Sequence, residues 1–227
     1  MAKEDSIVSA PLNRYQFARM IKALFLIFAP DATWNRVALS RRGLAFIAGA
    51  YFLPMMLIVA GVEFFGLVKL GRWQPAMGQI KIFPVREAMI YETVELLLMA
   101  ICILVAAYFI KALGDTFHVR NTYTGTLTVV IYGLSPVFLL RLLDVSPTMN
   151  LWVPWGIGIM LSAKILYSGV PRIMLPDPPH AFGLYFMSTL LLAMVTGFER
   201  FITASCLAGT CKPVNTFISN LAARLSF

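Results

Sequence analysis

The chain has 227 residues, of which 59% are hydrophobic and only 13% charged, with a mean hydropathy of +0.77. Ordinary globular chains run at roughly 45–50% apolar and 25% charged, so a soluble domain of this size could not hide so much apolar surface. That excludes a secreted disulfide scaffold, a disordered regulator and a free cytosolic enzyme, and makes lipid the solvent for much of the chain.

The formal net charge is +8, from 19 Lys and Arg against 11 Asp and Glu. In a membrane protein this points to basic cytoplasmic loops facing anionic headgroups. Nucleic-acid binding fits poorly, because the basic residues are spread along the chain with no aromatic-interleaved patch.

Residues 1–10 are polar. Residues 11–29 carry Arg14, Arg19 and Lys22 on one side and Phe17, Met20, Leu24 and Phe28 on the other. This reads as an amphipathic helix lying in the headgroup plane or packed on the membrane domain. A signal peptide is the weaker reading, since the apolar run Ala23–Ala29 is short and no small-residue cleavage pattern follows.

Five apolar segments follow, each near the roughly 20 residues needed to cross a hydrocarbon core. They are Leu44–Gly66, Ala88–Leu113, Thr126–Leu143, Leu151–Val170 and Ala181–Phe198, the last with room to continue to Leu207. Pro54, Pro136 and Pro154 fall inside segments, where prolines are tolerated and kink the helix. The connections carry breakers, namely Gly71, Pro75 and Pro84, then Gly114-Asp115, Ser146-Pro147 and Pro176-Asp177-Pro178-Pro179. The predicted fold is thus an all-α, polytopic membrane bundle of five transmembrane helices with an N-terminal interfacial helix. Its parts are a cytoplasmic segment over 1–43, the spanning domain over 44–207 and an exterior tail over 208–227. Lys and Arg in the flanks favour a cytoplasmic N-terminus, and an odd number of spans then puts the C-terminus outside. In a bacterial inner membrane that side is the periplasm.

Ionisable residues within apolar segments are costly, so each one is a hypothesis. Glu63 ends the first span, and Glu92 and Glu95 share one face of the second, with Met99 and Cys102 continuing it. Arg141 and Asp144 end the third span, and Glu199-Arg200 end the fifth. All of these lie toward the exterior half. Glu63, Glu92, Glu95 and Arg141 therefore form the candidate intramembrane polar cluster. Read functionally, it is a cation, proton or headgroup site. Read structurally, Glu92 or Glu95 pairs with Arg141 or Arg200, and the remaining groups snorkel to interfacial water. Lys164 stands apart, as a snorkelling lysine of the fourth span.

Cys206 and Cys211 flank Leu-Ala-Gly-Thr, a spacing that allows either a disulfide in an oxidising compartment or two free thiols. No metal-ligand pair, nucleophile elbow or phosphate loop is present, and no residues read as catalytic or cofactor-binding. Ser135 beside Pro136 reads as a hydroxyl that satisfies a carbonyl freed by the kink.

Four stretches carry a resemblance. They are Ala29-Pro30-Asp31-Ala32-Thr33-Trp34-Asn35-Arg36-Val37 and Tyr51-Phe52-Leu53-Pro54, then Tyr132-Gly133-Leu134-Ser135-Pro136 and Tyr167-Ser168-Gly169-Val170-Pro171, with Met174 after the last. In order and spacing they resemble the Yip family of Ypt/Rab-interacting integral membrane proteins, in its bacterial branch, over about Phe28 to Gly197. Gly114-Asp115 stands where members often carry paired glycines, and the tail after Glu199 has no counterpart. The resemblance implies five helices and a cytoplasmic N-terminus, with the Tyr, Gly and Pro positions serving packing. It implies no catalytic residues. The expected role is a non-enzymatic scaffold or accessory subunit that binds the lipid bilayer and another membrane protein or larger complex. The alternative is a transporter, channel or lipid-moving protein that uses the acidic cluster.

Overall fold

The computed structural model describes residues 27–40, 43–75, 78–117, 119, 122–208, 216, 218, 220 and 224. The helix expected over 11–29 falls almost wholly outside them. The first element described is instead α1 (Pro30–Ser40). Pro30 suits a first helical position because its missing N–H would have no partner there. Asp31 in the first turn faces the positive end of the helix dipole. It also pairs with Arg172 at 2.8 Å. A hydrogen bond from Ser168 and the Arg172 charge hold the Asp31 carboxyl below its usual range. This tie is therefore present at neutral pH and is lost only as pH falls through the lowered value.

Five helices are long and apolar enough to cross a membrane: α2 (Leu44–Leu70), α3 (Val85–Thr116), α4 (Tyr123–Val145), α5 (Trp152–Met174) and α6 (Pro178–Leu207). They match the five predicted segments and extend most of them by a turn or so. Apolar side chains such as Leu57, Leu97, Ile101, Met160 and Met194 stay exposed on the outer face. In lipid that face is at home, and the outward pattern carries no aggregation penalty.

One helix is central. In α4, 78% of the most apolar stretch is buried, against 22–39% in the other four. It is also rich in hydroxyls, which bond back to its own carbonyls. Thr128 Oγ1 donates to Thr124 O at 2.6 Å and Thr126 Oγ1 to Thr122 O at 3.3 Å. Such local bonds let a polar side chain sit in a dry core at little cost.

The prolines act differently from one another. Pro136 follows a break at Leu134 between two helical parts of α4. Ser135 Oγ there reaches Ile131 O at 3.4 Å and Tyr51 Oη at 2.7 Å. Pro54 follows a π-helical stretch, Ile47–Phe52, and a second such stretch, Gly66–Leu70, ends α2. Pro154 lies in the first turn of α5, where its missing N–H would have no helical partner, and not in the helix interior where a kink was expected. The proline inside that helix is Pro171.

The connection after α2 is the one that carries the breakers Gly71, Pro75 and Pro84. It folds into an antiparallel hairpin of β1 (Arg72–Gln74) and β2 (Gln79–Lys81), with Arg72 opposite Lys81 and Gln74 opposite Gln79. Gly71 enters it at φ +74°, and a Cβ there would lie 2.6 Å from Lys81 O. Trp73 N donates to Pro147 O and Phe83 N to Leu67 O, both at 3.1 Å. The hairpin is thus seated on the end of the bundle.

At the other end, Trp34 of α1 is fully buried and donates from Nε1 to Ile165 O at 3.0 Å. Its ring lies edge-on to Tyr132, and Tyr51 stacks on Tyr132 with centroids 4.3 Å apart. Gly169 makes the space. A Cβ on it would meet Trp34 Cε2 and Cζ2 at 2.4 Å. Gly169→Ala is therefore expected to displace Trp34 and destabilise the protein by about 1–3 kcal/mol. Gly156→Ala, where a Cβ meets open space, should leave thermal unfolding in detergent unchanged or raised. Equal Tm values for the two variants would contradict this packing.

Candidate functional site

The candidate cluster forms where the ends of four spans meet beneath the hairpin. Helical spacing puts Glu92 and Glu95 on the inward side of α3 near its start. Glu63 lies two turns before the end of α2. Arg141 and Asp144 come from the closing 3-10 turn of α4 (Arg141–Val145), and Glu199 and Arg200 come from α6.

Arg141, 3% exposed, is the hub. Its Nε donates to Glu63 Oε1 and its Nη2 to Glu63 Oε2, each at 3.1 Å. This is the bidentate geometry that a planar guanidinium favours. Nη2 also contacts Glu95 Oε1, and Nη1 reaches Glu199 Oε1 at 3.4 Å. Glu199 Oε1 takes a further bond from Thr203 Oγ1. All four predicted members therefore lie together, and Glu63, Glu95 and Arg141 are in direct contact.

A second pair sits beside the first. Arg200 holds Asp144 through Nη2 and donates from Nε to Leu151 O at 3.2 Å. Arg72 of the hairpin folds inward, with Nη1 to Asp144 O at 2.6 Å and Nη2 to Met149 O at 3.0 Å. Burial pulls its pKa down, partly offset by the Asp144 charge, yet a guanidinium stays protonated in proteins. In sequence Arg72 counted only as a loop charge. Its position next to Gly71, six residues after the predicted end of the first span, was the available signal that it could turn inward.

Glu92 differs from its neighbours. It is 7% exposed and has no hydrogen bond or ion pair among the described residues. Single carboxylate oxygens of Glu63, Glu92 and Glu95 all lie within 4.8 Å of one another. These groups border a cavity of about 20 Å³, shared with Arg72, Asp144 and Arg200. That is room for one water or one small ion. Five carboxylates (Glu63, Glu92, Glu95, Asp144 and Glu199) face three guanidiniums (Arg72, Arg141 and Arg200).

Lys164 stands outside this network, exposed on α5. Cys102 and Cys206 are both buried, and Cys211 lies outside the described residues.

The family model described as the Yip1 domain matches residues 24–198. The chain belongs to the Yip1 domain family. The match takes in α1 and all five spans up to the last turns of α6, so Glu63, Glu92, Glu95 and Arg141 fall within the Yip1 domain. Glu199 and Arg200 fall just beyond it. No curated protein and no solved structure matches the chain. The aromatic residues that carried the resemblance, Trp34, Tyr51 and Tyr132, pack on one another in this Yip1 domain.

Removing one partner from a buried ion network leaves the others charged and unpaired, which costs about 3–5 kcal/mol. Arg141→Met should therefore lower stability by that amount. Lys111→Ala, which breaks the exposed pair with Asp115, should change it by about 1 kcal/mol or less. Thermal unfolding in detergent measures both. An Arg141→Met protein as stable as wild type would show that the network carries no weight.

Proposed function

We propose that this Yip1-domain protein is a non-enzymatic membrane scaffold or accessory subunit that binds another membrane protein or assembly. The observation that carries the reading is the closure of the polar cluster. Glu63, Glu95 and Glu199 are taken up by Arg141, and the adjoining cavity is only about 20 Å³. An alternating-access carrier needs a site that water and substrate can reach from each side. A buried ion network instead favours one fixed arrangement of helix ends.

The orientation and membrane belong to the same proposal. Arg36, Lys111 and Arg172 lie at the α1 end, and the sequence before the first span also carries Arg14, Arg19, Lys22, Arg41 and Arg42. The positive-inside rule then favours a cytoplasmic N-terminus, and a C-terminus on the opposite side. The inner membrane of a bacterium fits this reading, with Cys206 and Cys211 on the periplasmic side.

The second reading, transport through the acidic cluster, draws on the unpaired Glu92. Two measurements separate the readings. Mild-detergent purification from the native membrane, with mass spectrometry, should recover a protein partner at fixed stoichiometry. Glu92→Gln should retain it. Proteoliposomes should show no proton or cation flux that depends on Glu92 or Glu95. Flux in wild type that vanishes in Glu92→Gln and Glu95→Gln would overturn the scaffold reading.

A further inference from the structure

The buried network is not electrically balanced. With every group ionised, its five carboxylates exceed its three guanidiniums by two negative charges. An uncompensated charge in a low-dielectric interior is among the costliest arrangements in a protein. Here the surplus is localised. Glu92 is 93% buried, by its 7% exposure, and has no partner. Asp144 Oδ1 is also buried with no hydrogen bond. Both residues border the same small cavity, together with Glu63 and Glu95.

We propose that this cavity binds one divalent cation with hard oxygen ligands, of the Mg2+ or Ca2+ class, held by Glu63, Glu92 and Glu95. The spacing fits. Such ions take oxygen ligands at roughly 2.0–2.6 Å, so ligands around one ion lie about 3–5 Å apart. The three carboxylate oxygens lie within 4.8 Å of one another. The volume of about 20 Å³ admits a single ion and little else. The charge fits too, since two positive charges cancel the surplus. Glu63 and Glu95 then each bridge the cation and Arg141, while Glu92 gains the partner it lacks. The ion serves as a structural clamp that joins α2 to α3, whose carboxylates in turn hold Arg141 of α4. This inference does not depend on the scaffold reading, because a clamp of this kind fits any role for the fold.

The test uses the full chain in detergent, stripped with a chelator and then titrated separately with Mg2+, Ca2+ and Mn2+ at pH 7.5. Metal analysis of the purified protein is expected to find about one ion per chain. Adding a preferred ion at a hundredfold excess over its Kd should raise Tm by about 5–10 °C. Glu92→Gln should abolish that rise. Its chelated Tm should equal or exceed that of the chelated wild type, because it removes one surplus charge. Glu87→Gln, at the surface pair with Lys81, should respond as wild type does. Absence of both bound metal and any Tm response in wild type would overturn the proposal. So would an equal response in wild type and Glu92→Gln, which marks adventitious surface binding. A chelator-insensitive protein that gains stability when the pH is lowered to 5.5 would show protons, and not a cation, cancelling the surplus.

Discussion

Arg141 is the constraint on which the arrangement of helix ends depends. One side chain, extending from the last turn of the central helix, touches carboxylates from α2, α3 and α6 at once. A guanidinium has five donors in a fixed plane, so it accepts only a narrow set of positions for those partners. Apolar packing between helices in lipid is weakly selective, because lipid tails are as apolar as leucine. A hub of buried charge discriminates among arrangements far more sharply. A helix that slid by one turn would leave a carboxylate alone in a dry interior.

The other end of the bundle is fixed by different chemistry. Trp34 reaches from α1 to the carbonyl of Ile165 and lies against Tyr132, which stacks on Tyr51. Tyr51 in turn is hydrogen-bonded to Ser135 at the broken turn of α4. The helix α1 is thus tied to α5 and α4 by an indole and a pair of phenols, with the ion pair of Asp31 and Arg172 at its margin. The two sets lie about 18 Å apart along α2, taking Tyr51 and Glu63 as markers. Between them runs ordinary packing of aliphatic side chains.

Much of this was legible in the sequence. Twenty-residue apolar runs need no tertiary knowledge to identify, because the bilayer sets their length. The depth of each charge was also legible, since Glu63, Glu92, Glu95 and Arg141 all occur near span ends on one side. Which charges pair was legible only in part: Glu95 with Arg141 was among the expected pairs, while Arg141 with Glu63 and Glu199, and Arg200 with Asp144, were not. That depends on which helices are neighbours, and mean hydropathy does not say so. The helix α4 is only of middling hydropathy, yet it is the buried one. Its hydroxyls answer its own carbonyls, so polarity there does not mean exposure. The hairpin was missed because three-residue strands carry almost no periodic signal. What fixes them is Gly71 and the bundle end beneath, and only the folded chain shows the latter. Arg72 was missed for the same reason. Of the N-terminal elements, α1 was read as a family motif, but its helical form was not anticipated.

Lys164 has a consequence for the surrounding lipid. It is exposed on α5, ten residues before Met174, hence about 15 Å from that helix end. Its amine cannot rest among acyl chains, so it bends toward the nearer headgroups and draws them and water inward. Headgroups drawn in this way would thin the leaflet along one flank of the protein only. Such mismatch costs fractions of a kcal/mol per ångström and is relieved by tilting. A single lysine on one face would thereby bias the lean of the whole bundle and dimple the membrane beside it.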